Sequence, residues 1–94
     1  MGWRRETLDD SIEMGHVLWA GIFLGKPGII VGGRAGKKEL VLYRHGEGTS
    51  LSRSVIDDGI GATQMAVVEL GGGKALLVVA AHARNEVLLY EVEE

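Results

Sequence analysis

Apolar residues in this chain come in short unbroken runs, each closed by glycine or charge. The first half carries Val17–Leu24, Ile29–Val31 and Leu40–Tyr43, and the second carries Met65–Leu70, Leu76–Ala81 and Val87–Val92. Such runs are too short for helices, and their lack of alternation predicts strands covered on both faces. Ser50–Ile56 is polar and alternates, the pattern of an exposed outer strand. Turns are expected at Gly25–Gly28, Gly46–Gly48, Gly59–Gly61 and Gly71–Gly73, where glycine supplies positive φ. No segment calls for a helix, so the chain reads as all-β.

The two halves repeat one another. Trp3–Ile12 reappears as Leu51–Ile60, matching Arg5 with Arg53, Asp9 with Asp57, Asp10 with Asp58 and Ile12 with Ile60 at an offset of 48, while Glu39–Tyr43 recurs as Glu86–Tyr90 at an offset of 47. A period near fifty built of short apolar runs marks a β-propeller or array, and the propeller's unit is a four-stranded antiparallel blade. With strands named A to D from the axis outward, the order is D, then A-B-C-D, then A-B-C. Residues 1–94 thus form one two-blade unit: 3–10 an exchanged outer strand, 15–59 blade one, and 60–94 blade two lacking its outer strand.

Two blades cannot close a ring, and an unpaired edge over Val87–Val92 would template aggregation. In a ring of identical chains the leading strand completes blade two of the neighbour, with backbone hydrogen bonds worth about 0.5–1.5 kcal/mol each net. The interface expected from this scheme joins Trp3, Arg5 and Thr7 of one chain to Val87, Leu89 and Val92 of the next. The chain's expected partner is therefore itself, as an obligate homo-oligomer. A homotrimer with six blades is favoured and a homotetramer with eight comes next; a domain-swapped dimer or an open filament is the structural competitor.

Composition narrows the class. Of 94 residues 46% are hydrophobic and 24% charged, which fits a globular domain. A net charge of −3 gives no basic field for a phosphate backbone, and the aromatic residues are not interleaved with Lys and Arg, so no nucleic-acid partner is expected. There is no cysteine, hence neither a disulfide framework nor a thiolate zinc site. No run reaches signal-peptide length or the ~20 apolar residues of a membrane helix, so the default expectation is a soluble, cytoplasmic protein without a membrane partner.

Gly15–Gly25, Ile30–Arg34, Leu42–Arg44, Ser54–Gly59 and Asn85–Tyr90 resemble the FG-GAP or VCBS type of repeat propeller, in the branch similar to the propeller domain of aldosulose dehydratase. The likeness covers nearly the whole chain and implies a propeller more firmly than any activity. That family typically carries a D-x-D-G-D-G calcium loop between its first two strands. The corresponding stretches Phe23–Gly28 and Glu69–Lys74 offer at most the Glu69 carboxylate, so no calcium, and no other cofactor, is expected. Members of the family carry more blades per chain, which makes this a fragment, an unusual minimal subunit or an engineered chain.

Strand order places the D-to-A and B-to-C connections at one end. That end gathers His16, Arg34, Gln64, His82 and Arg84 as candidate ligand-binding residues, beside the pairs Asp9–Asp10 and Asp57–Asp58. Copies of His16 arranged about an axis suit a metal, an anion or proton transfer, and Arg34 suits a carboxylate or phosphate. Each has a bland counterpart: a histidine bonded to a loop carbonyl, an arginine paired with a neighbouring Asp. The Asp pairs recur at the same turn in both copies, which fits Asx-turns better than a catalytic dyad. Trp19 reads as packing between blades, and Gly71–Lys74 lacks phosphate-loop spacing. No catalytic set assembles within one chain. The leading reading is a non-catalytic, self-assembling module; the alternatives are a lectin-like binder of carbohydrate or small ligands, and an enzyme acting on sugars.

Overall fold

The computed structural model describes residues 1–45 and 51–94; the expected Gly46–Gly48 turn lies outside the described residues. Seven strands form two antiparallel sheets. The first has the order β1 (Gly15–Phe23), β2 (Lys26–Gly33), β3 (Leu40–His45), β4 (Leu51–Asp57), and the second β5 (Ala62–Gly71), β6 (Lys74–Ala81), β7 (Glu86–Glu93). Every predicted apolar run lies within a strand apart from Leu24, and the polar run supplies β4 at the edge of its sheet.

One turn and one helical turn differ from expectation. The first hairpin turns on Leu24 and Gly25, both at positive φ (54° and 80°), and not on Gly25–Gly28. Pro27 instead sits inside β2 opposite Ile22. Pairing with β3 begins only at Gly28, so the missing proline N–H deprives no second neighbour. Gly72 and Gly73 (φ 63° and 75°) make the matching turn between β5 and β6. After β6 the chain forms a single 3-10 turn, His82–Arg84, ended by Asn85 at φ 53°.

The sheets pack face to face with β1 against β5. The core between them is built by Phe23, Ile30 and Leu40 from one sheet and by Leu77, Val79 and Ala81 from the other, with Ile60 and Ala62 at the junction. Trp19 packs against this core and meets Phe23 edge-on at 6.1 Å. Close approach of the sheets depends on Gly32, where a Cβ would lie 2.7 Å from Cβ of Ala62 and 2.8 Å from Cγ1 of Val17. At one end the Leu24 N–H donates to the Glu69 carboxylate. That bond ties sheet to sheet and makes Glu69 a structural acceptor.

The opposite end is stitched by its connections. Gly59 N–H donates to the Lys37 carbonyl at 2.8 Å, Arg34 N–H to Met14 at 2.9 Å and His82 N–H to Gly61 at 3.0 Å. The D-to-A and B-to-C connections therefore do share one end, and the Arg34 and His82 bonds are repeat equivalents.

Residues 1–14 form no strand in the single chain. The segment lies over the outer face of the first sheet, where Thr7, Leu8 and Ile12 stand above Ala20, Ile29 and Val31. The chain is open for its size: it exposes 6353 Å² with a radius of gyration of 13.7 Å, against about 5,300 Å² and about 12.4 Å for a compact chain of this length.

Candidate functional site: two wet blade faces and a repeated latch

Strand alternation gives each sheet two faces, and the repeat makes them comparable. On the second sheet, Met65, Val67, Leu77, Val79, Leu88 and Tyr90 face the first sheet, and the first-sheet counterparts of this set are Leu18, Ala20, Ile29, Val31, Val41 and Tyr43. Those counterparts lie on the outer face of the first sheet, which residues 7–12 partly cover: Leu18 is 69% exposed, Ile29 and Val31 are half-buried, and Val41 and Tyr43 are buried. Conversely, blade one packs onto blade two with Trp19, Ile30 and Leu42. Their counterparts Ala66, Val78 and Leu89 sit on the far face of blade two, together with Val68, Leu76 and Val87. Val68, Leu70, Val87 and Leu89 are all exposed there. One wet face thus repeats the surface that is buried by blade one, and the other repeats the surface that buries blade two.

A second feature recurs at the junction of each blade. The Tyr43 hydroxyl donates to Oδ2 of Asp9, and the Tyr90 hydroxyl donates to Oδ2 of Asp57 at 2.7 Å. In both, the aspartate preceding a blade holds the tyrosine of its third strand. Local bonds fix the carboxylates: Ser11 N–H donates to Oδ1 of Asp9 at 2.7 Å and Asp58 N–H to Oδ1 of Asp57 at 2.8 Å. The first is the expected Asx-turn, while Asp57 accepts from the adjacent N–H instead of the one two residues on; each aspartate has an added long-range partner.

The two latches differ in their arginine. Arg53 on β4 donates through Nε to Asp9 at 3.0 Å and through Nη2 to Glu39 at 3.1 Å. At the second latch the counterpart of Glu39 is Glu86, whose side chain is 45% exposed against 17% for Glu39 and accepts from Nε of Arg84 in the 3-10 turn at 2.7 Å, while no arginine bonds Asp57 among the described residues.

Electrostatics follow these contacts. The Ser11 hydroxyl first, then the Tyr43 hydroxyl, the Ser11 N–H and the Arg53 guanidinium hold the Asp9 carboxyl well below the usual carboxylate range. Burial, and then the bond to Asp9, pushes the Tyr43 phenol up from 10.0 to about 12; burial and Asp57 raise Tyr90 in the same way. Hydrogen bonds to Asp9 and Glu39 push Arg53 further up.

A depressed carboxyl stabilises the fold above its ordinary value of 3.8, and that contribution is lost as pH falls below 3.8. A raised phenol contributes in full below 10, and its contribution is lost as pH climbs through about 12. Stability is therefore expected to decline below about pH 4 and again between about pH 10 and pH 12. Tyr43→Phe should remove part of both limbs and cost about 1.5–3 kcal/mol, the range for a hydrogen bond to a charged group. Chemical denaturation across pH, with phenolate absorbance as a second readout, checks this; an unchanged alkaline limb would contradict it.

The remaining sequence candidates are dispersed. His16 is exposed at the β-bulge that interrupts pairing between Gly15 and Val17, and the equivalent bulge lies between Ala62 and Gln64. The structural counterpart of His16 is thus Thr63, whose hydroxyl donates to the Ala80 carbonyl, and Gln64 lies one position on. Arg34 and His82 are exposed at equivalent ends of β2 and β6, and Arg84 pairs with Glu86. Among the described residues no side-chain hydrogen bond joins any two of these five, and no three His, Asp or Glu side chains are grouped to hold a metal ion.

Sequence reasoning missed Arg44. Its Nη1 donates to the Glu94 carboxylate at 2.9 Å across the two sheets, while Nε and Nη2 are buried without a partner among the described residues. Trp3 is 91% exposed, and Arg5 and Thr7 are exposed on the same segment. No helix of the described chain is long and apolar enough to cross a membrane.

Comparison of the chain with protein-family models, curated proteins and solved structures finds no match.

Proposed function

We propose that the chain is a self-assembling β-propeller module, in which each protomer places the outer face of its blade one on the far face of a neighbour's blade two. The observation that carries this reading is the repeat equivalence of the two wet faces. The strand positions that make the joint between blade one and blade two recur on opposite sides of the protomer and are again apolar, with Ala66 in place of Trp19 and Ala80 in place of Gly32. Such a contact is head-to-tail, and with a suitable rotation it closes into a ring. Three or four chains would give six or eight blades, within the range of about four to eight at which propellers close. Burying apolar surface at ~25 cal/mol per Å² supplies the driving force. No observation favours the lectin-like or sugar-enzyme readings over this one.

Two charged substitutions test it. Val78→Asp spoils the far face of blade two, and Val31→Asp spoils the outer face of blade one; both residues are half-buried and outside the core between the sheets. Each variant alone is expected as a protomer in sedimentation. An equimolar mixture should give a dimer and nothing larger, because one good face of each kind remains. Assembly of either variant to the size of the unaltered protein would overturn the head-to-tail reading.

A further inference from the structure

We infer that the second latch is completed in trans: the segment Trp3–Asp9 of a second copy pairs antiparallel with β7, and its Arg5 bridges Asp57 and Glu86 as Arg53 bridges Asp9 and Glu39. This rests on the self-assembly reading above and assigns the residues that close it. Three observations support it.

The site lacks an arginine that joins its two carboxylates. Asp9, Tyr43, Glu39 and Arg53 form a connected set within blade one, whereas Asp57 and Tyr90 are joined to each other, Glu86 is held apart from them by Arg84 of the 3-10 turn, and among the described residues no β4 counterpart lies beside β7. The residue that repeats Arg53 is Arg5, which is exposed and makes no side-chain hydrogen bond among the described residues.

Register follows from blade one, where Tyr43 lies opposite Arg53, Arg44 opposite Ser52 and His45 opposite Leu51. Transferred through the repeat, Tyr90 meets Arg5, Glu91 meets Arg4 and Val92 meets Trp3. Blade one has no opposite-charge pair at the Arg44–Ser52 position, and the transferred register creates one there, Glu91 with Arg4. It also places the exposed Trp3 indole against an apolar partner. Opposite charges directly across an antiparallel pair are favourable, and a slip of one residue would bring Arg5 to Glu91 but strip Tyr90 and Asp57 of the arginine.

The pivot is already in place. Asp9 is held by Tyr43 and Arg53 of its own chain, as Asp57 is held at the equivalent junction, so only residues upstream of Asp9 need to move. In the single chain Thr7 and Leu8 lie over blade one's outer face, the face that a neighbour takes. Transfer of the segment to β7 of the next copy both frees that face and covers the edge.

The absence of cysteine makes cross-linking unambiguous. Arg4→Cys with Glu91→Cys in one chain, oxidised in dilute solution, is expected to give reducible intermolecular products up to the size of the assembly, while Arg4→Cys with Glu93→Cys gives far less. Charge exchange supplies the second readout. Arg5→Glu should weaken assembly about tenfold or more, as loss of a bridging charge pair does. Glu86→Arg should do the same, and the double variant should recover most of the loss.

A disulfide confined within single chains would overturn the trans pairing, as would Arg5→Glu assembling like the unaltered protein. In that case normal mass in the unaltered protein leaves the face-to-face reading standing. A protomeric unaltered protein would sink both.

Discussion

Gly32→Leu is expected to separate the two blades within the protomer. The added Cβ would fall 2.7 Å from Cβ of Ala62 and 2.8 Å from Cγ1 of Val17, both on strands and unable to yield without shifting backbone. Overpacking typically costs about 1–3 kcal/mol, more where backbone must move, and a domain of this size has about 5–15 kcal/mol in total. Because Trp19 and Phe23 lie in the same joint, the near-ultraviolet dichroism of Trp19 should collapse along with the melting temperature. Gly2→Leu, where nothing lies within 4 Å of the new Cβ, should leave both unchanged. A Gly32→Leu protein that melts like its parent would mean that the sheets do not pack at this distance.

Deletion of residues 1–10 is expected to have the largest effect on assembly. It removes Asp9 from Tyr43 and Arg53, and with it the segment that covers β7 in the proposed ring. Discrete oligomers should give way to protomers and edge-to-edge aggregates, since β7 would present unpaired N–H and C=O groups beside the exposed Val87 and Leu89. Tyr43 should also titrate closer to 10, having lost the carboxylate that helps raise it to about 12. Discrete oligomers of normal mass in the deleted protein would show that the segment has no part in the joint.

Much of this architecture is legible in the sequence because burial on two faces writes continuous apolar runs. Val17–Phe23 and Leu76–Ala81 could be placed as strands from composition alone, and the polarity of β4 marks it as an edge. Turn positions were harder. Leu24 occupies a left-handed conformation (φ 54°) that costs an L-residue about 1–2 kcal/mol, and it is tolerated there because its side chain is buried and its N–H is held by Glu69. That compensation comes from 45 residues away and leaves no local trace. Pro27 marks a turn by ordinary rules, yet it fits a strand position that lacks a second neighbour.

The candidate site was half legible. The Asp pairs could be read as turns from their recurrence, but the partners of Asp9 and Asp57 lie 34 and 33 residues on. A signal was present nonetheless: Asp9 and Tyr43 repeat together as Asp57 and Tyr90 in a chain where most surface positions differ between copies. By contrast the repeat counterpart of His16 is not legible across a one-residue change of offset, and the bulges show that it is Thr63. Arg44 has no repeat counterpart of like charge, since the equivalent position is Glu91, so pattern gave no hint of its bond to Glu94.

The most direct test is the mass of the unaltered 94-residue chain in solution, by light scattering after size exclusion at two concentrations. The account predicts a discrete species of three or four times 10.1 kDa, unchanged between the two concentrations. A well-folded species of 10.1 kDa at both would contradict the self-assembling propeller and every contact placed between copies.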